Sequence, residues 1–272
     1  MIDSIYKAIK VGSIEDLNKL LAQDIDDVLD GGWNPLHAAS KVGNLRAVEL
    51  ILSYIQKSGN VSFDINSVFE SIDSDSDNRG TALTEALLNG HKDIAKLLIV
   101  NGANVNATHY SQDTDCPECF LGEYDLAINS GVAWWLSDEE LFNLCLANGL
   151  EIDAEDNNDN TALVYAVKSS NLKKVIQLLE NGANVNLYYQ HEYMGKIPLL
   201  VYAVTIHGEQ KTQRSFDVVK SLLKHGAPLS AKCLDCENET VIEIVLKQGN
   251  EKLIDLFGLA KLAEKANPPP SN

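Results

Sequence analysis

NGANVN stands at Asn101–Asn106 and again at Asn181–Asn186, in otherwise dissimilar surroundings. Upstream of each copy lies an amphipathic run, DIAKLLIVNG and KKVIQLLENG. Counting back from the glycine, apolar residues fall three, four and seven positions earlier: Ile99, Leu98 and Ala95 before Gly102, and Leu179, Leu178 and Val175 before Gly182. That spacing is one face of a helix. Asn-Gly after the last apolar residue is a helix stop, because glycine takes the left-handed position at no steric cost. NGANVN therefore reads as the end of a helix and the start of an extended connection, a scaffold element and not a site.

The same grammar recurs at Cys145, Leu146 and Phe142 before Gly149, and at Leu223, Leu222 and Val219 before Gly226. A shorter helix is expected before each long one, opening at NPLHAA, TALTEA, TALVYA, IPLLVYA and TVIEIV. Asn or Thr at such a start caps the helix N-terminus, and proline at the first helical position is already set for it. Leu36, Leu83, Leu126, Leu163, Leu199 and Ile242 open successive units at intervals of 47, 43, 37, 36 and 43 residues.

DGGWNPLHAASKVGNLRAVELIL resembles the ankyrin repeat, whose unit of about 33 residues starts T-P-L-H-x-A. TALTEALLNGHKDIAKLLIVNGANVN and TALVYAVKSSNLKKVIQLLENGANVN resemble it over nearly a full unit. The resemblance covers almost the whole chain. It implies an all-α solenoid of stacked helix-turn-helix units with projecting inter-repeat fingers. Seven units are expected within a single domain over residues 1–266, near 2–30, 31–79, 80–122, 123–159, 160–195, 196–238 and 239–266, with 267–272 a flexible tail. The end units are the more divergent, as caps with one face in water should be. His37 stands at the histidine of the start motif, where the resemblance implies a hydrogen bond between neighbouring units. The resemblance also assigns partner binding to the concave and finger surface.

The fingers are acidic. Asp24–Asp30, Asp64–Asp77, Asp113–Asp125, Glu151–Asp159 and Asp235–Glu239 together hold 22 of the 39 Asp and Glu residues. The fold sets such loops in a row, so Asp73, Asp75, Asp77, Asp156 and Asp159 are candidate partner-binding residues. One finger differs: LYYQHEYMGK carries Tyr188, Tyr189 and Tyr193 within six residues. Tyrosine gives large contact area at low entropic cost, which makes all three candidate anchors. In LAINSGVAWWLSDEELFNLC the first helix breaks, and Ser137 with Glu140 forms a capping box that restarts one. Trp134 and Trp135 are adjacent there, so one packs inward and Trp134 is a further candidate anchor. HGEQKTQRS, His207–Ser215, reads as a long polar turn between two helices.

Composition narrows the partner. The formal net charge is −17 in 272 residues. A field of that sign repels nucleic acid and anionic membrane and attracts basic protein surfaces. No stretch has the ~20 continuous apolar residues that span a bilayer. An odd count of five cysteines, in a chain whose first residues are amphipathic and acidic, suits a reducing compartment. The expectation is a monomer in the cytoplasm, or in a host cytoplasm for a delivered chain.

Motifs for chemistry are weak. CPEC at Cys116–Cys119 and CLDC at Cys233–Cys236 invite zinc, yet they lie in fingers three repeats apart, on the order of 30 Å at about 10 Å per layer. Bonds of about 2.3 Å to each sulfur cannot join them within one chain. Cys145 occupies a core position. DSDSDNRGTALTE at Asp73–Glu85 resembles a calcium loop, but Asn78 replaces the sixth-position glycine and Glu85 falls one residue late. His91 and His225 sit at helix ends; His109, His191 and His207 fall in loops away from any nucleophile pattern. No cofactor, metal or catalytic residue is expected. The reading is a non-catalytic module that binds a basic protein, as bacterial ankyrin proteins do when they serve as inhibitors or immunity proteins. The alternative is an effector-type adaptor that is translocated and recruits a host protein.

Overall fold

A computed structural model describes residues 2–22, 32–58, 63–73, 76–111, 125–127, 138–155, 159–191, 195–233 and 239–266. Trp134, Asp75, Asp156, Tyr193, Ser137, Cys116, Cys119 and Cys236 lie outside the described residues. The chain forms two compact units, Met1–Glu151 and Ile152–Asn272.

The first unit holds the helix pairs α1 (Ile2–Val11) and α2 (Ile14–Leu21), α3 (Pro35–Val42) and α4 (Leu45–Ser58), and α5 (Ala82–Leu88) and α6 (Lys92–Val100), followed by α7 (Glu139–Ala147). The second holds α8 (Ala162–Lys168) and α9 (Leu172–Glu180), α10 (Leu199–Gln210) and α11 (Gln213–Lys224), and α12 (Val241–Gln248) and α13 (Glu251–Ala266). Within each unit, first helices pack on first helices and second helices on second. The faces that the periodicity picks out are the ones buried: Ala95, Leu98 and Ile99 in α6, and Val175, Leu178 and Leu179 in α9. Cys145 is fully buried in α7, and desolvation pushes its thiol up to about 12.

The helix stops have the expected geometry. Gly102 and Gly182 have φ of 93° and 91°. The Gly102 N–H donates to Ile99 O at 3.0 Å and the Ala103 N–H to Leu98 O at 3.0 Å, which satisfies two carbonyls that the helix end leaves open. Gly182 and Ala183 repeat the pattern on Leu179 and Leu178. Asn101 and Asn181 add a side-chain N–H to the carbonyls of Leu97 and Gln177, each at 2.8 Å.

Helix starts vary with the residue three positions on. Asn34 and His37, Thr81 and Thr84, and Thr240 and Glu243 form reciprocal capping boxes. Thr161 faces Val164 at that position and makes no side-chain cap. The start of α7 lies one residue later than expected: Asp138 is the N-cap, its Oδ1 accepting from Glu140 N and Leu141 N. The carboxylate at 138 reaches both open N–H groups and takes the role that the sequence assigned to Ser137.

Among the described residues four fingers pair as β-hairpins, and Glu151–Glu155 carries no strand. β1 (Phe69–Asp73), β2 (Ser76–Gly80), β3 (Thr108–Ser111) and β4 (Asp125–Ala127) make one antiparallel sheet in that order. β5 (Tyr188–His191) pairs with β6 (Gly195–Pro198), and β7 (Lys232–Cys233) with β8 (Glu239–Thr240). Asp73 pairs with Ser76 and Ile72 with Asp77, so this segment is extended and paired. After that for the start of α7, a second expectation changes. Leu126 lies in strand β4, opposite His109, and not in a first helix.

A third change concerns HGEQKTQRS. The helix α10 runs on through Gln210, leaving only Lys211 and Thr212 between it and α11. No proline or β-branched residue interrupts HGEQ, and Lys211 closes the helix in the left-handed conformation at φ 51°. His207 is therefore a buried helical residue, not a loop residue.

Candidate partner-binding surface

In the β5–β6 hairpin, adjacent side chains point to opposite faces, so two neighbouring tyrosines cannot share a role. The register sets Tyr189 opposite Ile197 and Tyr188 opposite Pro198. Tyr189 turns inward at 8% exposure and stacks on Tyr202 of α10, with centroids 4.1 Å apart and planes 25° apart. Burial, with Tyr189 beside it, drives the Tyr202 phenol above its usual range. Tyr188 turns outward and is 41% exposed.

The surroundings of this hairpin are not purely acidic. The Lys168 ammonium stands 5.9 Å from the Tyr189 ring centroid. Lys196, on the same hairpin face as Tyr188 by register, lies 3.9 Å from the Asp159 carboxylate. Both members of that pair are more than half exposed, so the interaction is worth little in stability.

Asp159 has φ 56°. It sits two residues before the start of its repeat, where the corresponding Gly32 and Gly195 have φ of 78° and 63°. A carboxylate thus occupies a backbone position suited to glycine. Exposed carboxylates run through the preceding finger at Glu151, Asp153 and Glu155. Asp73 and Asp77 lie in β1 and β2 of the first unit, on a sheet edge hairpin.

Several features had no warning in the sequence reading. Two finger asparagines, Asn66 and Asn106, tie neighbouring repeats. Asn66 donates to Gly102 O at 3.2 Å and accepts from Asn104 N at 2.7 Å. Asn106 does the same to Gly149 O at 2.8 Å and Glu151 N at 2.9 Å. At the next rung Asp153 accepts from Asn184 N at 2.8 Å. The repeating Asn at the fourth position after the helix-stop glycine was the available signal. At the start of α3, Trp33, His37 and Phe69 of β1 form an aromatic cluster with centroids 4.5 to 5.5 Å apart, and Lys41 sits 5.4 Å over the Trp33 ring. His37 Nδ1 accepts from Asn34 N at 3.2 Å and Nε2 donates to Ser67 O at 2.8 Å, so its bonds stay within the 31–79 unit, where the start motif implied one to a neighbouring unit. Nearby, the buried Glu85 carboxyl is raised by desolvation, an effect that the Lys41 charge opposes.

Charge is unevenly divided. Residues 1–151 carry nine Lys and Arg against 24 Asp and Glu, whereas residues 152–272 carry 13 against 15. Among the described residues no group of three or more His, Cys, Asp or Glu could hold a metal ion, and no helix is long and apolar enough to cross a membrane.

Repeated helix pairs, left-handed glycine stops and finger hairpins agree with a family model described as ankyrin repeats in three copies, which matches residues 5–109 and 132–233. The chain belongs to the ankyrin-repeat family. It is built as a protein–protein interaction module. It is 25% identical over 268 residues to the B-cell lymphoma 3 protein homolog of Mus musculus, covering 89% of this chain and 54% of that protein. The chain spans about half or less of the length of the curated relatives it matches. Among solved structures, the ankyrin repeat domain of Bcl-3, a member of the IkappaB protein family, is similar at 20% identity and a TM-score of 0.66, covering 93% of this chain and 97% of that one. A chain from the Bd0816 predatory endopeptidase of Bdellovibrio bacteriovorus in complex with immunity protein Bd3460 is similar at 21% identity and a TM-score of 0.56, over 81% and 97%. These structural likenesses are likenesses of ankyrin fold.

Proposed function

We propose that the chain is a non-catalytic binding protein that holds a basic protein partner on its acidic finger surface, as an inhibitor or immunity protein does. The observation that carries this reading is the excess of 24 carboxylates over nine cationic side chains in residues 1–151. Such a field speeds the encounter with a basic surface and makes association sensitive to salt. Short-range affinity then falls to exposed aromatics, with Tyr188 the first candidate and Tyr189 assigned to the hairpin core. Ankyrin stacks are preformed, so little folding accompanies binding. One structure that shares the fold is a complex between an endopeptidase and an immunity protein, an arrangement that this reading extends to the present chain.

The test is capture of partners by the intact chain from the source organism and from a host lysate, at low and high salt, beside a Tyr188→Ala variant. A basic partner from the source organism, lost with salt and weakened by the variant, is the expected result. Capture of a host protein supports the translocated adaptor instead. Binding that neither salt nor Tyr188→Ala alters rejects this surface.

A further inference from the structure

The buried polar network around His207 joins three helices of the second unit, and its hydrogen bonds have a single consistent direction. Ser215 Oγ lies 3.0 Å from Thr212 O and 2.8 Å from His207 Nδ1. With the Ser215 proton on Thr212 O, the serine oxygen accepts from His207 Nδ1–H and keeps a second lone pair for the Thr212 hydroxyl, 3.0 Å away. His207 Nε2 then carries a lone pair. Asn250 faces it with Nδ2 at 3.2 Å, while Asn250 Oδ1 faces the Leu253 N–H at 3.3 Å. A backbone N–H only donates, so the amide orientation is fixed, with its NH2 toward the imidazole.

Asn250 is the N-cap of α13: its carbonyl accepts from Ile254 N at 2.9 Å and its side chain from Leu253 N. The whole chain of bonds therefore requires a neutral imidazole. His207 is 5% exposed and Ser215 1% exposed, while Asn250 is half-buried at the start of α13.

A proton on Nε2 would set two donors against each other. If the Asn250 amide rotates to present Oδ1 to the imidazolium, its NH2 comes against the Leu253 N–H and the cap of α13 is lost. We propose that protonation of His207 uncaps α13 and loosens the C-terminal helix pair, making this end of the chain acid-sensitive.

The groups around the ring agree with this direction. Desolvation holds His207 below its ordinary titration range, and Lys252 of α13 opposes the charged form. From α11 the ring meets Ser215 and the edge of Phe216, 5.7 Å between centroids. From α12, Gln248 packs against Gly208 and is neutral. The next residue, Glu209, is exposed to solvent at the end of α10. The Thr212 backbone carbonyl acts in the opposite sense and favours the charged ring. The unfolded chain takes up the proton near pH 6.5, so the capped form is favoured above that value and disfavoured as the pH falls below it.

The test is hydrogen exchange of the intact chain, comparing α13 amides with α9 amides between about pH 7.5 and about pH 5, after correction for intrinsic rates. Protection of Leu253 and Ile254 is expected to fall by up to about tenfold per pH unit below 6.5, with α9 much less affected. His207→Gln, which cannot titrate, should remove that dependence. Asn250→Asp supplies a permanent acceptor that also caps a helix, so α13 should stay protected at low pH. Equal loss of protection in α9 and α13, or an unchanged acid response in either variant, overturns the proposal. If His207→Gln fails to fold, Asn250→Asp alone decides it.

Discussion

Asn106 spans two repeats, its Nδ2 donating to Gly149 O at 2.8 Å and its Oδ1 accepting from Glu151 N at 2.9 Å. Both bonds are lost in Asn106→Ala, and each hydrogen bond contributes about 1 kcal/mol net. The variant should lose roughly 2 kcal/mol in urea denaturation. An unchanged midpoint would show that solvent replaces the tie without cost.

The same rung at Asp153 has an acceptor only, because an ionised carboxylate donates nothing to the Gly182 carbonyl. Asp153→Asn should restore the missing bond and raise stability by roughly 0.5–1 kcal/mol. Measured beside the wild type, it also asks whether the carboxylate is kept for binding: weaker, less salt-sensitive capture in a more stable protein is the expected pairing.

Helix-stop glycines differ in what surrounds them. A Cβ at Gly182 meets no atom within 4 Å, so Gly182→Ala should cost only its left-handed conformation, about 1 kcal/mol. A Cβ at Gly43 falls 2.5 Å from the His91 ring, whose Nε2 lies 3.1 Å from Lys41 O. Gly43→Ala should displace the ring and cost about 1 kcal/mol more than Gly182→Ala. Equal thermal midpoints for the two variants would contradict the geometry.

Neighbouring tyrosines should separate stability from binding. Tyr189→Ala empties a stacked, buried site and should destabilise by about 3 kcal/mol. Tyr188→Ala should change stability by less than about 1 kcal/mol. If Tyr188 is an anchor of the proposed interface, its removal weakens partner binding by about 2 kcal/mol, read by calorimetry.

His37 is held neutral in the first unit, its titration lowered from 6.5 to about 4, first by desolvation and against the opposing pull of Ser67 O. The folded value lies below the unfolded one. Its stabilising contribution is therefore complete above pH 6.5 and lost as the pH falls toward 4. An NMR titration of the His37 ring that gave a midpoint near 6.5 would rule this out.

The stack itself was legible because Asn-Gly stops, apolar spacing and capping residues are local signals, each acting within a few positions of the chain. What escaped depended on distant partners. Leu126 matches the spacing of a repeat start, yet pairing with His109 places it in a strand. The polar run after His207 carries turn-like composition, but it also continues the helix, and Asn250 reaches the imidazole from 43 residues away. Tyr188 and Tyr189 are equal by composition; only the strand register sends them to opposite faces.

Rungs of unequal strength give the molecule a mechanical character. A repeat array pulled along its chain yields where neighbouring repeats grip least, and each asparagine tie works like a pair of stitches. At Asp153 one stitch of the two is missing. Under tension the rung between Asp153 and Asn184 should part at a lower load than the doubly held rung at Asn106, so one carboxylate sets a weak point within the second unit.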